Sequence, residues 1–184
     1  YGVGKRISIK YTRALLNEAY PGGIYLHRGK RYRVRDAKKY GAEAMSVRTL
    51  ELQPLKQPWT TRPDRRFGIS RKKELQAKGS RKAGARLLEV VAYQQVWGFR
   101  ETGPGHDRLV SYPDAIVWAI RSLAVALEPP DAPRAGLHAL EHLMRSVVPL
   151  RTPFEASDFG ACFDAKAVYV YDAVPGGAGL AQTV

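Results

Sequence analysis

The residues best suited to chemistry lie close together in one segment near the end of the chain. His138, Glu141 and His142 form the pattern His-x-x-Glu-His, which is the inverted form of the zinc-peptidase helix motif. Two histidines four residues apart can chelate zinc from one face of a helix, and a glutamate can act as a base. The pattern therefore raises zinc-dependent hydrolysis as one hypothesis.

The surroundings of this motif favour a packed helix over a hydrolase. A catalytic zinc takes three protein ligands, and the short stretch after His142 contains no clear acidic helix that would supply the third. A pattern with three fixed positions also arises by chance. We therefore predict that the chain has no catalytic residue and no metal site, and that the two histidines make local hydrogen bonds.

A helix from about residue 132 to residue 148 positions this motif. Asp131 is a suitable N-cap, and Pro149 is expected to stop the helix. Glu141 lies at the edge of the apolar face, where a carboxylate needs a partner because an unpaired buried charge is costly. His138, His142 and Arg145 are the candidate partners. The predicted apolar face consists of Leu137, Leu140, Met144, Val147 and Val148.

The charge of the chain is strongly positive and unevenly distributed. The 184 residues carry a net charge of +13. Residues 1–100 hold 24 Lys and Arg against 7 Asp and Glu, whereas residues 101–184 hold 6 against 10. This asymmetry predicts a surface in the first half that binds a polyanion, although an Arg-rich soluble protein without such a ligand has the same composition.

Two segments carry the candidate nucleic-acid contacts. The first is a β-hairpin around the turn at residues 28–30, in which Tyr25 and Tyr32 are predicted to belong to the core. The second, near residues 54–86, is predicted to be a mobile basic loop. Cations in both segments would contact phosphates. They are Arg28, Lys30, Arg31, Arg33 and Arg35 in the hairpin and Arg71, Lys72, Lys73, Arg81 and Lys82 in the second segment.

The pattern of elements predicts an α+β fold. We expect a small twisted β-barrel-like unit at residues 1–110, packed against a C-terminal helix-plus-strand unit at residues 111–184. Its pieces are a strand at 3–10, a helix at 11–19, a return strand at 42–52, and further strands at 87–99 and 167–172. Residues 115–120 fit a buried strand or the start of a helix.

Other properties restrict where the protein works. The single cysteine excludes an internal disulfide and suggests a reducing, cytoplasmic setting. No apolar run is long enough to cross a membrane. Because the chain begins with Tyr1, we expect it to be an excerpt or a processed product, and we expect its last unit to be truncated at the C-terminal end.

Four motifs in order resemble one family. They are Tyr20–Val34, Leu137–His142 with Val148–Leu150, Asp158–Gly160, and Val170–Leu180. Together they resemble the C-terminal accessory domain, of a zinc-binding type, found in mitomycin-repair-type DEAD/DEAH-box helicases and related to DISARM-type phage-defence helicase proteins. The positions that match the family motifs are His138, Glu141, His142, Asp158, Asp172, Gly176 and Gly177.

The resemblance implies a nucleic-acid-binding accessory domain of an ATP-dependent DNA helicase in DNA repair or antiviral defence. The chain has no phosphate-binding Gly-x-x-x-x-Gly-Lys-Ser/Thr loop, so ATP and Mg²⁺ would belong to the parent helicase. The implied partners are single-stranded DNA or a duplex junction and helicase motor domains in the same or another chain, with no membrane. The alternative is a protein-interaction scaffold that docks on helicase or defence-complex partners.

The cysteines depart from the family pattern. The resemblance implies a cysteine cluster that holds zinc, but Cys162 is alone here. No cofactor is therefore expected in this chain, and zinc would require cysteines beyond residue 184. The glycine-rich turn at residues 175–179 is interpreted as a tight turn, with a backbone anion site as the alternative.

Overall fold

The computed structural model describes residues 12–40, 44–52, 59–80, 83–151 and 158–179, and these residues form mostly β-structure. The elements in chain order are α1 (Thr12–Glu18), β1 (Ile24–His27), β2 (Lys30–Tyr40), β3 (Ala44–Leu52), β4 (Thr60–Ser80), β5 (Ala83–Gly103), β6 (His106–Glu128), α2 (Arg134–Arg151), β7 (Phe159–Phe163) and β8 (Val168–Asp172). The predicted α+β class with a barrel-like β unit is confirmed. The strand predicted at residues 3–10 lies outside the described residues.

The chain forms two compact units. The first contains residues 1–66 and 94–118, and the second contains residues 67–93 and 119–184. Strands β4, β5 and β6 are each longer than 20 residues, and each contributes residues to both units. The division predicted from the sequence, into units at residues 1–110 and 111–184, stays a prediction.

A hairpin organises the first unit. Strands β1 and β2 are antiparallel, with Tyr25 opposite Tyr32 and His27 opposite Lys30. The turn between them has positive φ at both central residues, 48° at Arg28 and 74° at Gly29, which matches the right-handed twist of the strands. Strand β3 pairs with β2, so the predicted hairpin and its return strand are confirmed.

The core of this unit contains the hairpin's buried face. Tyr25, Tyr32 and Val34 form a buried cluster with Ala19, which follows α1. Alternate strand residues point to one face of a sheet, which places the tyrosines and the valine together. The tyrosines are thus part of the core, as predicted.

A five-stranded sheet has the strand order β4-β5-β6-β8-β7. Strand β6 spans the ambiguous residues 115–120, so these form a strand and not a helix. Strand β4 was not predicted, because residues 54–86 were interpreted as a long mobile connection. Its many charges and few large apolar side chains suit an edge strand, because one edge of such a strand is unpaired and charged side chains protect it. Pairing with the apolar strand β5 supplies the hydrogen bonds that local propensity did not indicate.

Helix α2 positions the second unit's apolar cluster, in which Val148 packs with Phe159 and Val170. The predicted end at residue 148 was wrong, because the helix continues through Pro149 to Arg151. Pro149 lacks the N–H that would bond the carbonyl oxygen of Arg145, so the last turn continues with one helical hydrogen bond fewer. The predicted apolar face was also partly wrong, because Val147 is exposed and Glu141 is buried.

Candidate nucleic-acid interface

Two of the hairpin arginines bind within the protein. The guanidinium of Arg31 donates a hydrogen bond to the carbonyl oxygen of Trp59. Arg33 donates to the carbonyl oxygen of Gly22 over 2.6 Å and to Oε1 of Glu101 over 2.7 Å. Both side chains are half-buried. Their first role is therefore to link the hairpin to neighbouring segments of the first unit.

Glu101 is the buried anion that explains the position of Arg33. It is 6% exposed, and its second oxygen lies 3.2 Å from Nε2 of His106. Burial alone would raise the pKa of Glu101, but the hydrogen bonds and charges of Arg33 and His106 outweigh burial and lower it. His106 also stacks on Trp59, with ring centroids 4.4 Å apart.

The other hairpin cations face solvent. Arg28, Lys30 and Arg35 are exposed. The pairing of β2 with β3 shifts register between Val34 and Asp36, so Arg35 lies in a bulge. A bulge redirects a side chain, and Arg35 is accordingly more exposed than Arg31 and Arg33. Arg31, Arg33 and Arg35 therefore do not form one exposed face.

A second group of solvent-facing cations lies near the start of β4, at positions that were not predicted individually. Arg62 and Arg66 are exposed at alternating positions of the strand. The guanidinium carbon of Arg66 lies 5.6 Å from the ring centroid of Trp97 on β5, within the range of a cation–π contact. Trp97 is itself 37% exposed. Once residues 60–66 are assigned to a strand, Arg62, Asp64 and Arg66 fall on one face, and all three are exposed.

The predicted cations between residues 71 and 82 differ in their surroundings. Lys72 donates to Oδ2 of Asp164 over 2.7 Å and to the hydroxyl of Tyr169 over 2.5 Å. Burial alone would raise the pKa of Asp164, but Lys72 and two backbone N–H groups lower it well below its usual range. Lys73 is exposed. Arg71 belongs to β4, and Arg81 and Lys82 lie outside the described residues.

The family-motif helix places its carboxylate inside and its histidines outside. Glu141 is buried and accepts a hydrogen bond from Nε of Arg145, which also donates to the carbonyl oxygen of Ala161 over 2.5 Å. Arg145 is thus a partner of Glu141, as the sequence suggested. The exposed His138 and His142 have their Nε2 atoms 3.0 Å apart.

The remaining family-motif positions form a tight turn. Asp172 is fully buried, and its Oδ2 accepts a hydrogen bond from the backbone N–H of Ala178 over 2.6 Å. Gly176 and Gly177 have φ angles of 81° and 78°, which glycine adopts readily. The carbonyl oxygen of Asp158 accepts from the backbone N–H of Ala173 over 2.7 Å. The Asp172 carboxylate therefore already accepts one of the backbone N–H groups that an anion bound at this turn would need.

The lone cysteine does not suit a thiolate metal site. Cys162 is buried in β7, and burial raises the pKa of its thiol to about 12. The sequence contains no second cysteine. The 184 residues therefore do not fit the cysteine-held zinc that the family resemblance implies. No helix in the described part of the chain has the length and apolarity needed to cross a bilayer.

Comparisons with known proteins identify the fold. No protein-family model matches the chain, and no curated protein sequence matches it. The structure resembles the crystal structure of the DUF1998 helicase MrfA bound to DNA, with a TM-score of 0.56 and 15% identity. It also resembles a crystal structure of the DUF1998 helicase MrfA, with a TM-score of 0.52 and 16% identity.

The chain shares its fold with a segment of a DUF1998 helicase. Each match covers 92% of this chain and 24% of the helicase chain. The chain therefore spans about a quarter of the helicase's length. The predicted family resemblance is confirmed at the level of the fold.

Proposed function

We propose that this chain is a nucleic-acid-binding accessory domain of an ATP-dependent DNA helicase that acts in DNA repair or phage defence. The observation that carries the proposal is the shared fold over 92% of the chain with a helicase solved on DNA. The excess of positive charge in residues 1–100 agrees with a polyanionic ligand. The ATPase chemistry would reside in motor domains outside these 184 residues.

Solvent-facing cations of the first unit would contact the DNA backbone. Arg62 and Arg66 form an exposed pair on β4, and Arg28 and Arg35 are exposed on the hairpin. Phosphate contacts of this kind bind DNA without reading its sequence. Trp97 adds an exposed aromatic surface beside Arg66, on which an unpaired base would stack. Single-stranded DNA or the single-stranded part of a junction is therefore the proposed ligand.

The test is a titration of the chain with a fluorescent single-stranded oligonucleotide over a series of salt concentrations. Each phosphate contact adds about 0.7 to the magnitude of the slope of log K against log salt concentration. The double substitution Arg62→Ala/Arg66→Ala should therefore reduce that magnitude by about 1.4. Trp97→Ala should weaken binding by about 1–3 kcal/mol and leave the slope nearly unchanged.

Lys166→Ala is the matched control, because Lys166 is an exposed cation of the second unit, between β7 and β8. This substitution should leave both affinity and slope close to those of the unmodified chain. Absence of binding at low salt, or binding that salt does not weaken, would exclude direct contact with DNA. Equal loss per charge removed in the control would show that net charge alone, and not the β4 surface, attracts the oligonucleotide.

One observation favours the alternative function, a scaffold that docks on a helicase motor domain. Leu143, Val147 and Leu150 follow one another at helical spacing on α2, and all three are exposed. Leu150 is 81% exposed. An exposed apolar stripe is typical of a protein-binding surface. Docking of this kind should survive salt that releases DNA, and Leu143→Ser/Leu150→Ser should abolish it without changing the DNA titration.

A further inference from the structure

The pair His138 and His142 is not used by the proposed function. Their Nε2 atoms lie 3.0 Å apart on the exposed side of α2. The nearer carboxylate oxygen of Glu141, Oε2, lies 3.9 Å from Nε2 of His142. One potential ligand atom from each of the three residues lies within 4.8 Å of the others. Ligands of one tetrahedral ion bound at about 2.1 Å stand about 3.4 Å apart. The separations of 3.0 Å and 3.9 Å lie on either side of that value.

Two of these side chains are held in place by their neighbours. The ring of His138 stacks on Phe163, with centroids 5.3 Å apart and an interplanar angle of 27°. Arg145 binds Oε1 of Glu141, which leaves Oε2 on the side of His142. Such supporting contacts orient metal ligands and increase affinity. The side chain of His142 is 66% exposed, so an ion can reach the pair from solvent.

We propose that His138, His142 and Glu141 form a binding site for a borderline divalent metal ion, with Zn²⁺ as the physiological candidate. Two imidazoles and a carboxylate are ligands that zinc accepts, and a water molecule would complete the tetrahedral coordination. The site is independent of cysteine. It links successive turns of α2, with Glu141 as the third protein ligand.

The test is isothermal titration calorimetry of the untagged chain with ZnCl₂. One ion per chain should bind in a saturable step. His138→Ala and His142→Ala should each weaken this binding at least about tenfold, and Glu141→Gln should weaken it by about tenfold. Alanine favours helix formation more than histidine does, so the histidine variants should keep the circular dichroism spectrum of the unmodified chain.

His27→Ala is the control, because His27 is a histidine of the first unit outside the proposed site. This variant should bind Zn²⁺ as the unmodified chain does. Equal affinity in the chain with and without His138 and His142, or no saturable binding, would overturn the proposal. The oligonucleotide titration described above uses other residues, so loss of zinc binding leaves its result unchanged.

Discussion

Arg33 and Arg35 carry the same charge on one strand but have different surroundings. Arg33 contacts the buried Glu101, whereas Arg35 is exposed in a bulge. Arg33→Ala should lower the free energy of unfolding by roughly 2–3 kcal/mol, because it leaves a buried carboxylate without its main partner. The change is measurable by urea denaturation.

Arg35→Ala is the matched comparison for that measurement. An exposed substitution of this kind should change stability by no more than about 0.5 kcal/mol. If Arg35 contacts phosphate, its loss should instead reduce the salt dependence of DNA binding by about 0.7. Equal destabilisation by both substitutions would show that the Arg33–Glu101 contact contributes nothing specific.

Asp164 gives the second unit a predictable response to acid. Folding lowers its pKa from the ordinary 3.8, mainly because the contacts with Lys72 outweigh burial. The unfolded chain therefore takes up a proton first as the pH falls through this value. The stabilisation is present above the ordinary pKa and is lost progressively below it.

The variant Asp164→Asn should remove this part of the acid response. Its urea midpoint should be lower than that of the unmodified chain near neutral pH, and the two should converge as the pH falls below 3.8. Asp114→Asn, at an exposed position of β6, is the control and should keep the original pH profile. A constant difference between Asp164→Asn and the unmodified chain down to low pH would contradict the assignment.

The glycine turn after β8 shows how one element depends on single backbone positions. Gly176 and Gly177 have nearly equal positive φ angles. A methyl group at Gly177 would lie 3.0 Å from Cγ of Leu123 and 3.2 Å from Oδ2 of Asp172, whereas one at Gly176 would meet nothing within 4 Å. Gly176→Ala should therefore cost about 1 kcal/mol of stability for its backbone alone. Gly177→Ala should cost about 2–3 kcal/mol.

Urea denaturation of the two variants measures this difference directly. Because the φ cost is common to both, the excess in Gly177→Ala reports the contact with Leu123 and Asp172. Equal losses would mean that the buried carboxylate and its neighbour adjust freely to an added methyl group.

Local patterns were sufficient for some elements and not for others. The hairpin was predictable because Tyr25, Tyr32 and Val34 alternate around a glycine-containing turn. Strand β4 was not, because its charged residues match a loop until β5 is known to pair with it. The family motifs indicated α2 and β8 but not where the helix ends.

The same limit applies to the site. Arg31, Arg33 and Lys72 were selected for charge alone, and their internal partners are 28, 68 and 92 residues away in sequence. Trp97 was assigned to a strand, but its contact with Arg66 depends on the pairing of distant segments. Tertiary contacts of this kind determine which cations remain available to a ligand.

At the scale of the molecule, three strands run through both compact units. Loss of either unit should disrupt pairing in strands that continue into the other. We therefore predict one cooperative unfolding transition. The chain contains its own two probes: Trp59, Trp97 and Trp118 all belong to the first unit, and Cys162 belongs to the second.

Tryptophan fluorescence and the reactivity of the Cys162 thiol should give the same urea midpoint. The thiol is buried and should react slowly before the transition. Cys162→Ala is the control for modification of other groups. Separate midpoints would show that the units unfold independently.

Strand β4 lies at an edge of its sheet among the described strands, and its charge has a consequence for handling the protein. Like charges on an edge strand repel the same strand of another copy and so oppose strand-to-strand aggregation. Salt screens this repulsion together with any attraction to phosphate. A purification buffer of high ionic strength would therefore weaken the protein's protection against self-association.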